Sequence, residues 1–125
     1  MLYAVLCYNS EDMVTGWSQA EDDAVMDRLQ VVHERLYAKK QLGPAIRLMP
    51  TTTATTLRKG PEPHVVLDGP YAETKEQLLG FYILDCESLE DAIQAARDLG
   101  QANPTGAYEI RPLRVYQTGV AMPEL

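Results

Sequence analysis

Apolar residues alternate along positions 2 to 9, with Leu2, Ala4, Leu6 and Tyr8 on one side and Tyr3, Val5 and Cys7 on the other. Both sides are mostly apolar, which predicts a central strand covered on both faces. Asn9-Ser10-Glu11-Asp12 ends that run, and a polar loop through Gly16 and Trp17 follows. The period then becomes helical. Ser18 with Glu21 three residues on is a capping-box pattern, and Glu21, Asp22 and Asp23 stand where the helix dipole favours carboxylates. Val25, Leu29, Val32 and Leu36 follow the 4-3-4 spacing of one buried face, flanked by Met26, Tyr37 and Leu42. Lys39 and Lys40, then Gly43-Pro44, close a long amphipathic helix predicted over residues 19–41.

Three β-inclined segments come next: Ala45 to Met49, Thr51 to Leu57 and His64 to Leu67. The threonine-rich segment is polar on both faces, which suits a sheet edge or an interface. Arg58-Lys59-Gly60-Pro61-Glu62-Pro63 is a turn by composition, so 51–57 and 64–67 read as a hairpin. Gly80 to Cys86 is a further strand. Ser88, with Asp91 three residues on, caps a second helix with Leu89, Ala92, Ile93, Ala96 and Leu99 as its stripe and Gly100 as a left-handed C-terminal residue. Residues 107–113 alternate as a last strand ended by Pro112, and 114–125 read as a C-terminal arm.

That order is βαββαβ with an inserted hairpin. It defines an α+β, ferredoxin-like chain: an antiparallel sheet with both helices on one face. Enough apolar strand residues remain (drawn from Tyr3, Val5, Phe81, Ile83, Tyr108 and Ile110) that the other face must be covered too. A two-fold partner packing sheet on sheet would cover it, so a homodimer is expected.

At 125 residues the chain is most simply one domain, 1–125, large enough to fold without disulfides or metal. Eighteen acidic against eleven basic residues, a net charge of -7, and no basic run argue against nucleic-acid or anionic-membrane partners. No apolar stretch reaches the roughly 18 residues of a membrane span. The apolar N-terminus lacks a basic leader and a cleavage site. A cytoplasmic location is expected, with Cys7 and Cys86 as reduced, buried thiols at opposite ends of the sheet.

The densest group of chemically capable side chains is Asp68, Tyr71, Glu73, Thr74, Lys75 and Glu76, between two apolar runs. Asp68-Gly69-Pro70-Tyr71-Ala72-Glu73-Thr74-Lys75-Glu76-Gln77-Leu78 closely resembles the YCII-related proteins of the DGPF-domain type, which are named for an Asp-Gly-Pro-Phe motif followed by Ala-Glu-Thr-Lys-Glu. The likeness extends to Leu79-Gly80-Phe81-Tyr82 and to Glu109-Ile110-Arg111-Pro112-Leu113, so it spans most of the chain. It implies a dimeric α+β barrel of ferredoxin-like protomers and, through the family's frequent company with extracytoplasmic-function sigma factors, a regulatory or stress context. It implies no reaction. A related branch is thought to use a His-Asp pair, but the motif context of that pair is absent here.

Asp68 has two readings, an Asx turn bonding backbone N–H groups or a general base at a pocket mouth. Glu73, Lys75 and Glu76 form a solvated turn unless a partner buries them, in which case Lys75 could hold an anion. His33, at the edge of the helical stripe, either packs there or faces a pocket between helix and sheet and pairs with Asp68 as acid and base. His64 is expected to be exposed, and Arg111 to pair with a local carboxylate. No metal-spaced cluster, glycine-rich phosphate loop or serine nucleophile motif occurs, so neither metal nor cofactor is expected. Two functions follow. One is a homodimer binding a small molecule beside the Asp68-Gly69-Pro70 turn, with Tyr71, Glu73, Lys75 and Arg111 as ligand contacts. The other is a cofactor-independent enzyme using Asp68 and His33 on a small organic substrate.

Overall fold

The first strand, β1 (Leu2–Asn9), is an inner strand of a four-stranded antiparallel sheet. A computed structural model describes residues 1–125. After β1 come α1 (Glu11–Thr15), α2 (Gln19–Ala38), β2 (Leu42–Arg47), β3 (Thr55–Arg58), β4 (Val65–Asp68), β5 (Gln77–Asp85), α3 (Leu89–Ala102) and β6 (Ala107–Pro112). The main sheet runs β2-β5-β1-β6, and β3-β4 form a separate two-stranded ribbon. This is the ferredoxin-like arrangement with an inserted hairpin.

Both long helices start as their sequences specify. The Ser18 hydroxyl accepts from the Glu21 N–H at 3.1 Å, and the Ser88 hydroxyl accepts from the Asp91 N–H at 3.2 Å. Val25, Leu29, Val32 and Leu36 are the buried face of α2. They meet Tyr3, Val5 and Leu84 from the sheet and Ala92, Ala95, Ala96, Leu99 and Ala102 from α3 in one core. Small side chains on α3 let it pack close to α2, and Arg28 Nε donates to the Ala102 carbonyl at 3.0 Å, satisfying an end-of-helix acceptor.

The structure corrects the sequence reading at several points. The loop after Asn9 holds the short helix α1. Buried Asn9 pins that junction: its Oδ1 accepts from the Ser10 N–H at 2.8 Å, and its Nδ2 donates to Thr105 Oγ1 at 2.9 Å. Helix α2 stops at Ala38 because Lys40 turns left-handed (φ 58°). The Lys40 N–H then bonds Tyr37 O and the Gln41 N–H bonds Leu36 O, the paired closure of a Schellman motif. The threonine run is split into a 3-10 turn (Thr51–Thr53) and β3. Helix α3 continues through Gly100 to Ala102, and Leu89 at its start is exposed.

Strand parity is the larger correction. Tyr3 and Val5 face the helices together with Tyr82, Leu84, Tyr108 and Ile110. The opposite face carries Ala4 against Ile83 and Leu6 against Phe81, with Ile46 beside Phe81 and with Glu109 and Arg111 on β6. Cys86 sits beside Met1, its N–H bonding Met1 O, whereas Cys7 pairs with Gly80 at the other end of β1. Both thiols are free. Residues 114–125 are exposed and hold neither helix nor strand. No helix is long and apolar enough to cross a membrane.

Candidate functional site

A half-open cavity of about 180 Å³ lies between α2 and the helix-facing side of the sheet. Met26, Leu29 and His33 border it from α2, Trp17 from the α1–α2 connection, and Cys7, Tyr82 and Tyr108 from three neighbouring strands. Gly80 belongs to the lining for a steric reason. A Cβ there would stand 2.1 Å from the Ile46 carbonyl oxygen, so only glycine lets β2 approach β5 at this point. A bulge between Cys7 and Tyr8, opposite Leu79, shifts the register just where the cavity opens.

Polar groups converge on an otherwise apolar wall. His33 Nε2 and the Tyr82 hydroxyl are 3.4 Å apart, and the two rings meet edge-on with centroids 5.5 Å apart. Burial holds the His33 imidazole below its ordinary pKa, because the charged ring would lose its water. Burial likewise pushes the Tyr82 hydroxyl and the Cys7 thiol each up to about 12, and the Tyr108 hydroxyl is raised for the same reason. These four groups are therefore neutral near pH 7, and Cys7 is a poor nucleophile. The one formal charge of the lining is Arg47, whose Nη2 meets Asp22 Oδ1 at 3.0 Å. Asn103 Oδ1 is buried at the edge of the cavity without a hydrogen-bond partner.

Of the residues singled out from sequence, His33 lines this cavity, half-buried, and so both packs against Tyr82 and faces a pocket. Asp68 does not line it. Asp68 ends β4 opposite Thr55 in the exposed ribbon, and its carboxylate makes no hydrogen bond, so the Asx-turn expectation fails. The turn is held instead by the Gly69 N–H on Ala54 O and the Thr56 hydroxyl on Gly69 O, each at 2.8 Å, with Gly69 at φ 111°. Tyr71 is exposed beneath the Arg58 guanidinium, 5.4 Å from its ring centre. Glu73, Lys75 and Glu76 are exposed and outside any ion pair. Arg111 is exposed on the sheet face away from the helices, across from Ala4, and has no carboxylate partner. His64 is half-exposed, 3.5 Å from Glu62. No three His, Cys, Asp or Glu side chains converge to hold a metal ion.

Trp17, Arg47, Tyr82, Asn103 and Tyr108 were missed from sequence. The available signal was the lone tryptophan, together with two tyrosines placed where strands face helices. A sheet with two helices on one face and a cavity beneath the longer one defines an α+β, ferredoxin-like protein. The YCII-related domain matches residues 1–117, and the chain belongs to that family. It is 55% identical over 120 residues to an uncharacterized protein of Rhizobium meliloti (strain 1021), covering 95% of this chain and 97% of that one.

Proposed function

We propose that the protein is a cytoplasmic homodimer that binds a small organic molecule between α2 and the sheet, in the regulatory or stress context its sequence resemblance implies. The observation that carries this reading is the cavity itself: a largely apolar interior, with Arg47 as its one formal charge, into which the His33–Tyr82 pair is set. Protein interiors leave few voids of this size. Dimerisation would cover the second sheet face, where Leu6, Phe81 and Ile46 remain partly exposed. It would also shelter the β3-β4 ribbon, whose Leu57, Val65, Val66 and Leu67 are exposed and which is too small to be stable alone. Any part for Asp68, Tyr71, Glu73, Lys75 and Arg111 in ligand contact comes through that assembly.

The test is a thermal-shift screen of metabolites, since a ligand that binds only the native state raises its melting temperature. Ala45 pairs with Tyr82 and lines the cavity, so Ala45→Phe fills it. Hits whose shift vanishes in that variant support the site, and hits indifferent to it refute the site. A second reading, turnover without a cofactor, is favoured by the 3.4 Å His33–Tyr82 contact, which sets a neutral base beside a hydroxyl in a sheltered cavity. It requires that His33→Gln and Tyr82→Phe each abolish conversion of a bound compound while leaving its binding intact.

A further inference from the structure

Resting on the reading of the cavity as a ligand site, we infer that the ligand is an aryl carboxylate: one ring held inside, its carboxylate on Arg47 at the mouth. Size supports the single ring. An apolar cavity of about 150 Å³ takes a benzene molecule, and this one is about 180 Å³. Little beyond one ring fits, so a polar substituent must project outward. The wall suits such a ring, because Trp17, His33, Tyr82 and Tyr108 offer faces and edges for aromatic contact.

Charge supports the carboxylate. No acidic side chain lines the cavity, and Arg47 is its one cation. Arg47 is half-exposed and also lines the adjoining outer groove with Asp22, Ser18 and Trp17, which places it where the interior meets solvent. Its guanidinium is under-used: Nη2 bonds Asp22, Nη1 rests on Met26 Sδ at 3.5 Å, and the remaining donors are free. A ligand carboxylate engages those donors in the two-pronged geometry that guanidinium favours. An ion pair as exposed as Arg47–Asp22 opens at small cost, and Asp22 stays stabilised by the N-terminal turn of α2.

Titration of the full-length protein with benzoate and phenylacetate, and with their neutral amides benzamide and phenylacetamide, tests this by Trp17 fluorescence and calorimetry at neutral pH. Trp17 is the chain's one tryptophan and borders the cavity. The carboxylates are expected to bind at least about tenfold more tightly than the amides, the strength of a charge-assisted contact. Arg47→Gln should erase that preference, Arg47→Lys should retain part of it, and Asp22→Asn should leave carboxylate binding no weaker. Amides binding as well as carboxylates, or Arg47→Gln keeping the preference, overturns the carboxylate assignment and leaves the cavity reading standing. Failure of all four compounds to bind also overturns the aryl-carboxylate assignment, whereas the cavity reading falls only if thermal-shift hits are indifferent to Ala45→Phe.

Discussion

His33 Nε2 on α2 lies 3.4 Å from the Tyr82 hydroxyl on β5, joining the helix layer to the sheet across the cavity floor. Burial keeps the imidazole neutral. The contact therefore has a pH signature. With its folded pKa below the unfolded value of 6.5, His33 takes up a proton more readily in the unfolded chain. Its contribution is fully present above about pH 7.5 and is lost as pH falls through 6.5, levelling off below the folded pKa. Denaturation of wild type and His33→Gln from about pH 8 to pH 5 should show wild type losing stability faster. A wild type that gains on the variant upon acidification would mean a charged, paired His33.

Gly80 sets the floor of the cavity, so its loss is felt as a backbone clash. In Gly80→Ala the new Cβ meets the Ile46 carbonyl, which cannot rotate aside as a side chain would. The expected cost is about 2 kcal/mol or more, a fall in melting temperature of about 5 °C or more. Calorimetry checks it, and a neutral substitution would show that β2 is free to move away from β5.

Lys40 offers a change of the opposite sign. It holds the left-handed position that closes α2, where a side chain pays a steric penalty that glycine avoids. Lys40→Gly is expected to stabilise the protein, or at worst to be neutral, by up to about 1 kcal/mol in urea denaturation. A clear loss of stability would indicate that the lysine side chain makes an interaction outweighing its backbone strain.

Much of the fold was legible because its signals are local. Ser18 with Glu21 and Ser88 with Asp91 each announce a helix start within four residues, and the Val25–Leu36 spacing names the buried face without reference to the rest of the chain. Strand parity was less legible. When both sets of alternating residues are apolar, the pattern does not say whether Tyr3 or Ala4 faces the helices. The cavity was least legible, because its walls come from distant segments and a bulge at Cys7/Tyr8 re-aims them. Conversely, the polar run from Asp68 to Glu76 attracted attention by density alone. In the fold it is an exposed turn whose hydrogen bonds run through Gly69, Thr56, Thr74, Gln77 and the backbone. His33 is the one sequence candidate that lies beside the cavity, and its position on the helical stripe is itself a local property.

The central claim, that binding takes place beneath α2, is tested most directly by amide chemical-shift mapping with a library of single-ring compounds. Perturbations are expected at Trp17, Met26, His33, Gly80 and Asn103, the cavity's own lining. Perturbations confined to residues 68–76, with the cavity silent, would contradict it.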